Sequence, residues 1–118
     1  MLMVMFVLHN TEKLDDLIDA WEAAGVPGIT ILHSTGLGRA RSLPGRWDDL
    51  PLIPSLRDFY ENDEMFSRTL FSVVPDEAAA ERVVKATIDT VGELSEANTG
   101  LLAVFPLVKV YGLEKKQP

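Results

Sequence analysis

The chain has 118 residues, a formal net charge of −7, 47% apolar residues and 25% charged residues. That is an ordinary globular mixture, at a length that fits one domain over residues 1–118 with one modest core. The acidic balance argues against nucleic acid as a partner, since a duplex needs a basic face to displace its counterions, and the lack of cysteine excludes disulfides and thiolate chemistry.

In chain order, the apolar run Leu2–Leu8 reads as a central strand covered on both faces. It has no basic start and no small-residue cleavage site, so it does not read as a signal sequence. It is also too short to cross a bilayer, so a buried strand is read in preference to the alternative of a signal peptide; the lack of cysteine leaves the compartment open, and cytoplasm fits. Asn10 is placed to cap a helix with Glu12 in its first turn. Leu14, Leu17, Ile18 and Trp21 then share one helical face, while Asp15, Asp16 and Glu22 take the other. Gly25 stops that helix, and Pro27 prevents it from resuming.

Residues 29–35 form the second predicted strand, which runs into Gly36-Leu37-Gly38-Arg39. Paired glycines let bare backbone N–H groups approach an anion, and an arginine follows at once. The alternative is a tight exit from the strand with Arg39 merely solvated. The segment from Arg39 to Arg68 shows little regular pattern, and loops of that length are commonly functional or disordered. Arg41 and Arg46 add positive charge in an acidic chain; a solvated loop is the default reading, and the alternative is that they meet a ligand's phosphate or steer an acidic partner. Trp47, Leu50, Leu52, Ile53 and Leu56 form either an interface hot spot or a small satellite core. Residues 55–60 read as a helical turn or two capped by Ser55.

Residues 69–74 read as the third strand. Asp76 caps a second helix with Glu77 in its first turn, and Gly92 ends it. The buried face of that helix is expected to be Ala80, Val83, Val84, Thr87, Ile88 and Val91. The last strand is predicted over residues 101–105, continuing over 107–111 beyond Pro106. Because Pro106 lacks an N–H, it belongs on an edge or at a bulge. The tail from Glu114 is expected to be solvated.

The order β-α-β-β-α-β is the split βαβ, ferredoxin-like α+β arrangement, a four-stranded antiparallel sheet with two helices on one face and a long loop between strands 2 and 3. Two helices cover one face only, yet the first strand is apolar at every position. Phe71 and Val73 likewise alternate with Leu70 and Val74. At roughly 25 cal/mol per Å2, leaving the second face wet would cost several kcal/mol of a marginal total. A homo-oligomer is the economical solution.

With that fold, Gly25-x-x-Gly28-x-Thr30, Gly36-x-Gly38-Arg39 and Val73-Val74-Pro75-Asp76 resemble the PII-type signalling proteins over most of the chain. Asn98-Thr99-Gly100 falls where that family has its phosphate-gripping B-loop, and the segment after Arg39 takes the place of its T-loop. The resemblance implies a cytoplasmic homotrimer, not an enzyme, whose sheets face a shared centre and whose subunit clefts bind adenine nucleotides. It implies no required cofactor and no metal, with an adenine nucleotide as effector. Ligand state would set the conformation of the loop at about 40–66, which docks a target protein such as a transporter or enzyme.

The ligand residues implied are Thr30, Thr35, Gly36, Leu37, Gly38 and Arg39 from one side and Asn98, Thr99 and Gly100 from the other. Arg41, Arg46 and Trp47 fall in the docking loop. The departures are specific. The family's B-loop lysine is Leu101 here, its basic positions in the last strand fall near Gly112 and Glu114, and the glutamine after its G-x-G-R is Ala40. Sensing through 2-oxoglutarate is therefore not expected. Each missing charge-assisted contact weakens triphosphate binding by about 1.5–3 kcal/mol. Two alternatives stay open: a ligand-free scaffold trimer acting through its loop, and a sensor of a non-nucleotide metabolite.

No catalytic residue is expected. His33 alternates with Ile29 and Ile31, pointing inward toward a subunit contact, and a structural histidine is the favoured reading for it and for His9. Thr99 either bonds a ligand across the subunit boundary or ties its own turn. The acidic pairs Asp15-Asp16 and Asp48-Asp49, and the acidic group at residues 61–64, lack a converging histidine and read as solvated surface.

Overall fold

The computed structural model describes residues 1–35, 66–97 and 99–113. Strand β1 (Leu2–Leu8) leads through a 3-10 turn (Thr11–Lys13) into helix α1 (Leu14–Ala23). Strands β2 (Thr30–Thr35) and β3 (Phe66–Val74), helix α2 (Glu77–Val91) and strand β4 (Gly100–Pro106) follow. The sheet order is β2-β3-β1-β4, every neighbour antiparallel. This is the predicted ferredoxin-like topology.

Local signals explain most boundaries. The Asn10 side chain accepts from the Glu12 N–H at 3.2 Å, although the capped turn is 3-10 before it becomes α1. α1 closes in a Schellman pattern, with the Gly25 N–H donating to the Glu22 carbonyl and the Val26 N–H to the Trp21 carbonyl. Gly25 holds φ +94, which suits glycine. Asp76 Oδ1 accepts from the Ala79 N–H at 2.8 Å, and Gly92 ends α2 at φ +94.

The core lies between the helices and one sheet face. Val4, Phe6 and Leu8 of β1 and Leu70 and Val74 of β3 meet Leu17 and Trp21 of α1 and Ala79, Ala80 and Val83 of α2. Val84, Ile88 and Val91, expected in that face, are half-buried, while Thr87 is fully buried.

The other face carries Met3, Met5 and Val7, in register with Val73, Phe71 and Thr69 on one side and with Phe105, Ala103 and Leu101 on the other. Leu101 is 61% exposed, and the face has no covering layer within the described chain. The unpaired apolar surface inferred from β1 is thus present.

Two strand boundaries differ from expectation. β3 starts at Phe66, because Phe66, Ser67 and Arg68 pair with Thr35, Ser34 and His33. Phe66 is therefore part of the sheet and not the end of the loop. β4 stops at Pro106, opposite Leu2, on an edge strand as proline requires. Residues 107–111 do not continue it, apart from the Leu107 N–H, which donates to the Met1 carbonyl at 3.0 Å. The tail from Glu114 lies outside the described residues.

His33 stands opposite Arg68, on the sheet face that carries the core residue Leu70 and not on the open face, and on the edge strand β2 Ile31, His33 and Thr35 are exposed.

Candidate functional site

A cleft of about 300 Å3 opens where the chain enters β2. Pro27, Gly28 and Thr30 form one wall, Phe71, Ser72 and Val73 of β3 the floor, and Gly112 and Leu113 the far side. Its construction follows from the strand pairing. Thr30 and Phe71 oppose each other and share the open face of the sheet with Val73. Ser72 points the other way, is buried, and donates to the Gly28 carbonyl at 2.6 Å, which pins the incoming segment to β3. The stretch after β4 must cross the end of the sheet to bring Gly112 and Leu113 to this edge.

Among the described residues, none of the lining side chains is charged. A Cβ built on Gly28 meets nothing within 4 Å, so the glycine leaves open space on that wall. Four of the lining residues are apolar and Thr30 contributes a hydroxyl, a composition typical of small-molecule sites.

The implied ligand residues are distributed unevenly. Thr30 is in the cleft. Thr35 is at the opposite end of β2, facing Phe66, about 17 Å away at roughly 3.4 Å per residue. A row across the sheet runs Gly100, Leu8, Arg68, His33. Thr35 and Gly100 therefore share one end of the sheet but occupy its two edge strands, about 14 Å apart at roughly 4.8 Å per step. Within a single chain, then, Thr30, Thr35 and Gly100 do not converge. Gly36, Leu37, Gly38, Arg39, Arg41, Arg46, Trp47 and Asn98 lie outside the described residues, as does the segment with Leu50, Leu52, Ile53, Leu56 and residues 55–60.

Two of these residues have local roles. The Thr99 hydroxyl donates to the Glu96 carbonyl at 2.9 Å and so ties its own turn. Gly100 has φ +143, and a Cβ there would strike the Val7 carbonyl oxygen and come within 2.6 Å of the Phe6 ring. Packing at the start of β4 demands glycine whether or not a ligand is near.

Phe71, Val73 and Pro27 were not singled out as ligand residues in the sequence. The available signal was the alternation that puts Phe71 and Val73 on the open face beside Thr30. Among the described residues, no group of three or more His, Asp or Glu side chains is placed to hold a metal. Also among them, no helix is long and apolar enough to cross a membrane.

A search of curated proteins finds no match to this chain. The family model described as nitrogen regulatory protein P-II matches residues 1–117. Match, strand order and capped helices agree along nearly the whole sequence, and the chain belongs to the P-II family of regulatory signalling proteins.

Proposed function

We propose that this protein is a non-enzymatic, cytoplasmic homotrimeric sensor that binds a small ligand, an adenine nucleotide, at subunit clefts and signals to a target protein through the loop at about 40–66. The observation that carries this reading is the position of the cleft. Thr30 lines it, and the same short strand ends at Thr35, where the loop departs. A ligand held at one end of β2 is thus joined by six residues of strand to the output segment. Signalling then requires that the ligand prefer one loop conformer over another. The open apolar face, centred on Met5 between Phe71 and Ala103, supplies the contact area for a homo-oligomer.

A scaffold trimer without a ligand is the second reading. It is favoured by Leu101, which stands where the family resemblance places a phosphate-binding lysine and is 61% exposed. Calorimetric titration with ATP, ADP, AMP and cyclic AMP, each with and without magnesium, separates the two. Micromolar binding that is lost in Arg39→Ala is expected for the sensor. No binding by any of the four moves the assignment to the scaffold or to a non-nucleotide metabolite.

A further inference from the structure

We infer that β2 is a detachable edge strand, held at its two ends by serine hydroxyls of β3 where the central strand is held by buried apolar side chains. β2 pairs with β3 alone. Five of its six residues are exposed, Ile31 at 39% and Leu32 at 50%, and none of the six belongs to the buried core. Ile29, which packs against the core, precedes the strand. β1, by contrast, is paired on both edges and buries Val4, Phe6 and Leu8 completely. Local stability follows buried apolar contact, so β2 belongs at the low end of the molecule's range.

The one half-buried residue of β2, Ser34, is where side chains grip it. Ser34 Oγ stands 2.7 Å from Ser67 Oγ and 2.9 Å from Thr69 Oγ1, and the Ser67 hydroxyl reaches the Ser34 carbonyl at 3.3 Å. One arrangement uses every donor: Ser67 to the Ser34 carbonyl, Ser34 to Ser67, and Thr69 to Ser34. This cluster adjoins Thr35 and Phe66, the last register pair before the loop. At the other end, the buried Ser72 donates to the Gly28 carbonyl at 2.6 Å. Ser67 and Ser72 fall on opposite faces of β3, so the two pins work from the two sides of the sheet.

Such pins release easily. A hydroxyl bond given up to water costs little net free energy, whereas a buried apolar anchor has no such exchange. Opening from the loop end unpairs residues 33–35 first, while the Ser72 pin still holds the start of the strand beside Thr30. On the sensor reading, this moves the boundary between strand and loop without dismantling the cleft, and that consequence alone rests on that reading.

The test is residue-resolved hydrogen exchange on the full chain without ligand. The β2 amides bonded to β3 are expected to exchange about 100-fold faster than those of β1, or more. Ser34→Ala should speed exchange at residues 33–35 by about tenfold and leave β1 unchanged. Ser34→Thr keeps the hydroxyl on a side chain suited to strands and should stay near the wild-type rate. Exchange of β2 in step with β1 would overturn the detachable strand, whether it is anchored within the chain or covered by another copy. Equal rates in Ser34→Ala and the wild type would overturn the role of the hydroxyl cluster. Neither result bears on nucleotide binding, so the sensor reading is decided separately by the titration.

Discussion

The indole N–H of Trp21 donates to the hydroxyl oxygen of Thr87 at 2.9 Å, and that hydroxyl donates onward to the Val83 carbonyl at 2.7 Å. Both side chains are fully buried, one on each helix, so this short relay fixes how α1 and α2 lie against each other. Thr87→Val keeps the shape but strands a buried N–H. It should destabilise the protein by about 1–3 kcal/mol in urea unfolding, whereas Thr87→Ser retains the acceptor and should cost less.

Gly100→Ala should be far more damaging than its size suggests. The added carbon meets the Val7 carbonyl and the Phe6 ring at a backbone angle that only glycine tolerates well. A loss of about 2–5 kcal/mol is expected in thermal or urea melts. Pairing it with Phe6→Leu should restore only part of this, because the carbonyl remains. A loss confined to ligand affinity, with stability unchanged, would contradict the packing role.

The open sheet face predicts a clean dissociation. Met5 lies in register with both Phe71 and Ala103, at the middle of that face, so Met5→Asp buries a carboxylate in any contact made there. Light scattering on the wild-type chain should give three times its mass of 13.0 kDa, and the variant should give the single-chain mass. A wild-type monomer would sink the trimer proposal.

Thr35 and Phe66 are register partners, so the loop departs from and returns to adjacent positions about 5 Å apart. Replacing residues 36–65 with a four-residue turn should therefore leave the fold intact. Shortening the closed segment should stabilise it by about 2 kcal/mol on loop entropy alone. Docking to a target should be abolished, and micromolar nucleotide binding should be lost with it, because the deletion removes Arg39.

Much of this architecture was legible in residue order. Leu2–Leu8 announced a buried strand, Asn10 and Asp76 announced caps, and Gly25 and Gly92 announced stops, because each signal is local and strong. Residues 107–111 misled because Leu-Val-Lys-Val-Tyr suits a strand, while the amide after Pro106 alone finds a partner in Met1. Phe66, Ser67 and Arg68 were missed as strand because their pairing with β2 is set by register and not by an apolar run. The cleft was not legible as a unit. Its walls come from three distant segments, and Phe71 and Val73 already had an explanation as part of an uncovered sheet face.

The placement of β1 in the sheet also sets the order of assembly during synthesis. β1 is the first strand made, yet it is flanked on both sides by strands made much later, with Leu8 waiting for Arg68 and Leu2 for Pro106. Such distant pairings close large loops before any contact rewards them, so folding is slowed by topology. Until β4 emerges, a run of seven apolar residues keeps one edge unpaired, which makes the nascent chain dependent on protection from self-association. A chain halted before Gly100 would keep that bare edge for good.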